Sequence, residues 1–206
     1  MKETTRQVLE ELFVRYPALA GCRAAVTEAL EILLACYRSG GKTLICGNGG
    51  SAADAEHIAG ELLKKFKKHR PIPAAVAAAL RPDLAARLEG SLPAVSLVSM
   101  TGLMTAFAND VCWETAFAQQ TLGLARPGDV LIALSTSGNS ANCAAAAEVM
   151  NAVGGKTIAL TGAAESKLSA CCTVTIRVPE TETFKVQEYH LPVYHALCAA
   201  VEEELF

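Results

Sequence analysis

Aromatic side chains are scarce in this sequence: Phe, Tyr and Trp make up only 5% of its 206 residues. Its core must therefore be filled by aliphatic and small side chains, and alanine-rich runs at 74–79 and 144–147 let helices pack closely. Excess charge is missing too. The formal net charge is −3, so no global basic field recruits nucleic acid. No uninterrupted apolar stretch is long enough to cross a bilayer. The N-terminal MKETTRQVLEELF is a charged amphipathic helix start without the apolar centre of a signal peptide. No Cys-x-x-Cys pair exists to suggest zinc or a redox dithiol.

Eight cysteines are nevertheless present, and their placement does not read as a disulfide framework. Cys46, Cys143 and Cys198 fall inside apolar strand or helix patterns, where a free thiol acts as a small hydrophobe. The expectation is a cytoplasmic protein with reduced thiols. One basic run, residues 64–70 (KKFKKHR), sits late in a helical pattern. Cations there complement a helix C-terminus and read as a solvated helix end.

The length suits a single domain spanning 1–206. Apolar spacing predicts helices over 3–15 and 22–38, two N-terminal helices packed on the rest. A short buried strand follows at 42–46, then a long helix over 52–68 stopped by Arg70-Pro71. Residues 74–92 are a helix-like stretch between prolines. Strands are expected at 94–99, 129–134, 156–161 and 173–178, with helices near 102–108, 113–123 and 140–153 and a closing helix over 183–204. The strands are short and apolar without polar alternation. Strands of that kind, alternating with helices, indicate a doubly wound α/β domain whose parallel sheet is covered on both faces.

In such a domain ligands bind beyond the carboxyl ends of the strands, where helix N-termini converge. Two loops have suitable composition. Gly47-Asn48-Gly49-Gly50-Ser51 allows close backbone approach before a helix that favours an anion. It is neither the dinucleotide fingerprint nor a P-loop, so no nucleotide cofactor is expected. A plain structural turn is the alternative. Ser135, Thr136, Ser137 and Ser140 offer four hydroxyls in six positions where a strand gives way to a helix. Capping needs only one such side chain, so the surplus points to phosphate held by neutral donors. His57 and Glu61 share one helix face at i, i+4, which is also the spacing of an ordinary surface pair. Gln187, Tyr194 and His195 share a stripe of the closing helix, where a satisfied core histidine is the plain reading of His195.

These elements together resemble the SIS (sugar isomerase) domain family and, within it, the phosphoheptose isomerase group. The matching stretches are CGNGGSAADAEHIAGE at 46–61, AFAND at 106–110, RPGDVLIALSTSGNSAN at 126–142, KTIALTG at 156–162 and VQEYHLPVYH at 186–195. The resemblance implies a five-stranded, flavodoxin-like parallel sheet and a homotetramer with active sites between subunits. It implies an aldose–ketose isomerase of carbohydrate metabolism whose partner is a phosphorylated sugar, with no nucleic acid and no membrane. By position, Ser135, Thr136, Ser137 and Ser140 match the phosphate-binding hydroxyls. Asn48, Gly49, Gly50, Ser51, Asn109, Asp110 and Gln187 fall in the matched substrate-site stretches. Glu61 and His195 match the base and acid, and His57, Glu61, Gln187 and His195 match a zinc site of some members.

Two departures bear on which sugar is used. Phe184 stands where the family often has an acidic residue, and residues 74–92 look like a helical insertion. The alternatives are a non-catalytic sugar-phosphate-binding regulator of the type that associates with the replication initiator DnaA, and an isomerase for a different sugar phosphate. Presence of both Glu61 and His195 favours the enzyme.

Overall fold

A computed structural model describes all residues from Met1 to Phe206. The N-terminal half holds α1 (Glu3–Arg15), α2 (Arg23–Arg38), β1 (Thr43–Gly47), α3 (Gly50–Leu63), α4 (Ala74–Ala79), α5 (Pro82–Ala85), β2 (Ala94–Ser96) and α6 (Thr101–Asp110). It continues through α7 (Ala116–Leu124), β3 (Val130–Leu134), α8 (Ala141–Val153), β4 (Lys156–Thr161), α9 (Lys167–Cys171), β5 (Val174–Arg177) and α10 (Thr183–Leu205).

The five strands form one parallel sheet in the order β2-β1-β3-β4-β5. Alternate strand residues feed two cores, because successive side chains point to opposite faces. Ile45, Ile132, Leu134, Ile158 and Ile176 pack with α1, α2, α3 and α10. Leu44, Cys46, Leu131, Ala133 and Ala159 pack with α7 and α8, where Ala144, Ala146 and Ala147 allow the helix close to the sheet. The two-faced burial explains why the strands lack polar alternation. All eight cysteines are free thiols.

Four sequence expectations are corrected. The helix expected over 52–68 ends at Leu63, and the basic run beyond it is not a solvated helix end. Its last member, Arg70, is fully buried and paired with buried Glu202 at 2.7 Å. The Glu202 carboxylate also accepts the backbone N–H groups of Phe66, Lys67 and Lys68. Burial alone would raise the Glu202 carboxyl pKa, but these amides and Arg70 outweigh it and hold it low. A carboxylate from α10 has thus captured amides that would otherwise have continued α3. The stretch 74–92 forms only α4 and α5, two short helices with no buried residue. The strand expected over 94–99 stops at Ser96 and tightens into a 3₁₀ turn, and α9, opened by a reciprocal Ser166–Ser169 capping box, escapes the sequence reading.

β1 and β3 are neighbours, yet the chain leaves β1 toward β2 on one side and reaches β3 on the other. This is the topological switch point, where doubly wound sheets bind ligands. Gly47 at the end of β1 is in register with Leu134 at the end of β3. The two candidate loops therefore leave the sheet side by side.

Candidate active site

The serine loop holds its shape through its own backbone. Ser135 N–H donates to Leu160 of β4, and Gly138 N–H donates back to Ser135. From behind, Gly162 N–H donates to the Thr136 carbonyl and Leu168 N–H to that of Gly138. Gly138 has a φ of +68°, and a Cβ there would lie 2.1 Å from Ser166 Oγ, so only glycine fits. Ser140 occupies the N-cap position of α8, yet its side chain makes no cap bond. Its hydroxyl lies 2.9 Å from that of buried Ser135, and the Ser137 hydroxyl accepts the N–H of Asn139. Hydroxyls that could cap the helix are thus held within the loop, beside the positive end of the α8 dipole. That arrangement suits a phosphate.

The glycine loop is tied to the same place by a contact that the sequence reading missed. Asn48 and Asn142, the latter in the first turn of α8, exchange two amide hydrogen bonds of 2.9 Å each. The pair bridges the switch point. Ser51, expected to line the sugar site, is buried in the first turn of α3, with its carbonyl oxygen 2.4 Å from where a Cβ on Gly47 would lie. Gly49 takes a φ of +57° to begin α3.

α3 and α10 run side by side in the same direction. Gln187 rests on Gly50 at the head of α3, where an added Cβ would come within 2.5 Å of its amide nitrogen. Tyr194, seven residues on, meets His57, also seven residues on. Two turns below the helix heads, His57 Nε2 lies 3.3 Å from Glu61 Oε1 and 3.4 Å from His195 Nε2. Lys64 Nζ holds the other Glu61 oxygen at 3.0 Å. His195 stacks edge-on to His57 and leans on Phe66, with a cavity of about 350 Å³ opening beside it. Burial, His57 and Arg15 depress its pKa against the pull of Glu61, so the neutral imidazole is favoured. Arg70 sets the end of α3 by donating to the carbonyls of Glu61 and Leu62.

The structure thus brings His57, Glu61 and His195 together but keeps Gln187 away from them. Gln187 and His195 are eight positions apart on α10, about 12 Å along the axis. Gln187 instead joins the loops at the helix heads. Asn109 and Asp110 lie exposed at the end of α6, hydrogen-bonded to each other and not to either loop. His195 is half-buried, and the core histidine of α10 is His190. No three His, Cys, Asp or Glu side chains are arranged as they stand to hold a metal ion.

The SIS domain family model matches residues 18–162. A phosphoheptose isomerase from Rhodospirillum rubrum is 40% identical over 199 residues, 97% of this chain and 94% of its own. The chain belongs to the SIS domain family, in its phosphoheptose isomerase branch. Two solved phosphoheptose isomerases share the backbone of this SIS domain. The one from Neisseria gonorrhoeae aligns with a TM-score of 0.72 at 32% identity, covering 97% of this chain and 92% of that one. The one from Francisella tularensis aligns with a TM-score of 0.75 at 28% identity, covering 98% and 94%. No helix of this SIS domain is long and apolar enough to cross a membrane.

Proposed function

We propose that this SIS domain interconverts sedoheptulose 7-phosphate and D-glycero-D-manno-heptose 7-phosphate. The observation that carries the reading is the meeting of Glu61, His57 and His195 two turns below an anion-suited loop, in a chain that full-length relatives named phosphoheptose isomerase match throughout. The separation from helix heads to reactive side chains is about 10 Å, a span that suits a long open-chain sugar phosphate.

The serine loop anchors the phosphate, and Asn48, Gly49, Gly50 and Gln187 face the sugar chain. Glu61 takes the proton from C1 of the ketose, and the electron pair moves toward the C2 carbonyl to give an enediolate. His195 gives a proton to the oxygen on C2 and recovers one from the oxygen on C1, while Glu61 returns its proton to C2. Anchoring the distant phosphate makes these transfers effectively intramolecular.

His57, Glu61 and His195 present two imidazoles and a carboxylate, donor chemistry that suits zinc with an open position. Zinc bound there would polarise the sugar carbonyl. We assign Gln187 to the sugar chain and not to that set, because it rests on Gly50 at the head of α3. The same reading takes the chain as a cytoplasmic, single-domain homotetramer, supported by eight free thiols and by the apolar Leu103, Val111 and Trp113 exposed on and after α6. Purified protein given sedoheptulose 7-phosphate is expected to form the aldoheptose phosphate. Inertness toward it, with faster turnover of another ketose phosphate or with binding alone, would replace this reading.

A further inference from the structure

Asp54, Tyr194 and His57 form a chain of hydrogen bonds that the isomerisation scheme above does not use. The Tyr194 hydroxyl donates to Asp54 Oδ1 at 3.0 Å and stands 3.0 Å from His57 Nδ1. A phenol has one proton to donate, and an ionised carboxylate can only accept. With that proton turned to Asp54, the tyrosine oxygen is an acceptor toward the imidazole, and His57 Nδ1 must carry a hydrogen. In a neutral ring, Nε2 is then bare. It is Nε2 that faces Glu61 and His195.

We propose that Tyr194 is a positioning residue that relays the acceptor of Asp54 to His57, fixing the imidazole as the Nδ1–H tautomer with its Nε2 lone pair turned into the active site. The inference deepens the isomerase reading and rests on it for its functional consequence. Two features fit the role. The Tyr194 side chain is buried between α3 and α10, so its ring is held by packing. Asp54 lies three residues before His57 on α3, on the same side of the helix, so carboxylate and imidazole can share one phenol. With Nε2 bare, His57 accepts a hydrogen bond from a sugar hydroxyl or from His195, or binds a cation. With Nε2 protonated it does none of these.

The test uses nitrogen NMR of the full-length chain labelled at its four histidines. It is run near pH 8, above the ordinary imidazole range. Comparison with His57→Gln assigns the His57 ring. The wild type is expected to carry the His57 proton on Nδ1. In Tyr194→Phe the proton should move largely to Nε2, and Asp54→Ala, which frees the phenol to donate to Nδ1, should shift it the same way. Loss of such an outer partner typically costs about 10- to 100-fold; here it should fall on kcat for sedoheptulose 7-phosphate, with KM held within about twofold. An Nε2–H ring in the wild type, or an Nδ1–H ring that survives Tyr194→Phe, overturns the inference. The spectra need no substrate, so the two readings fail separately. A tautomer shift without turnover in the wild type sinks the isomerase reading and leaves the relay standing, whereas turnover with an unmoved tautomer sinks the relay alone.

Discussion

The Nε2 atoms of His57 and His195 stand 3.4 Å apart, though the residues are far separated in sequence. They meet because α3 and α10 both begin at the carboxyl edge of the sheet and descend in step, Gly50 beside Gln187 and His57 beside Tyr194. Glu61 reaches the same point from the next turn of α3. Glu61→Gln keeps the shape and the contact to Lys64 but cannot accept a carbon-bound proton. Isomerisation should fall by at least about 10²–10⁴-fold, the usual worth of a positioned general base. Thermal unfolding should move by only a few degrees. Retained activity in this variant would remove Glu61 from the chemistry.

The serine loop should report on binding rather than on the chemical step. Ser137 is its exposed hydroxyl, bonded only to a neighbouring amide within the loop. Hydrogen bonds to charged groups are worth about 1.5–3 kcal/mol, or roughly 10- to 100-fold. Ser137→Ala should therefore raise KM for the sugar phosphate about tenfold or more with kcat nearly unchanged, the signature of lost uniform binding. Inorganic phosphate should compete with substrate in the wild type and compete less well in the variant. A change in kcat with KM intact would mean that the phosphate sits elsewhere.

The parts legible in the sequence were those that local pattern encodes. The strands at 129–134 and 156–161 announce themselves as apolar runs, and the structure has them at Val130–Leu134 and Lys156–Thr161. The hydroxyl-rich loop and the i, i+4 pair of His57 and Glu61 need no distant partner to be seen. What stayed hidden depends on contacts between segments far apart in the chain. The end of α3 is set by Glu202, which no pattern in 52–70 foreshadows. Gln187 and His195 lie on one stripe of α10, but a shared stripe is not a shared place when the two are eight positions apart. Asp54 was nearer to being legible: its i, i+3 spacing to His57 extends the same face, whereas Tyr194 required knowing that α10 lies alongside.

Arg70 and Glu202 give a second handle on the same helix end. Both side chains are buried, and removing one member of a buried ion pair costs about 3–5 kcal/mol because it strands the other. Arg70→Leu should be destabilised by that order in urea unfolding. It should also lose activity, since Arg70 secures the carbonyls of Glu61 and Leu62. Adding Glu202→Gln to this variant should recover part of the stability. An Arg70→Leu protein as stable as the wild type would show that the pair has little worth.

His190 adds a pH dependence of stability that sets in at higher pH than that of the paired carboxylates. It is fully buried in α10, and burial depresses its pKa from 6.5 to about 4 against the opposing pull of the Thr161 backbone. Above about pH 6.5 the ring is neutral whether the chain is folded or not, and the full stability is present. Between about 6.5 and 4 the unfolded chain binds a proton that the folded chain refuses, so stability falls as the pH is lowered. A displacement of this size corresponds to about 3 kcal/mol at most, at roughly 1.36 kcal/mol for each pKa unit. Urea midpoints measured from pH 7.5 down to 4 should therefore decline. The slope should flatten over this window in His190→Leu, where nothing at that position titrates. Equal slopes in the two proteins would mean that another group governs the acid limb.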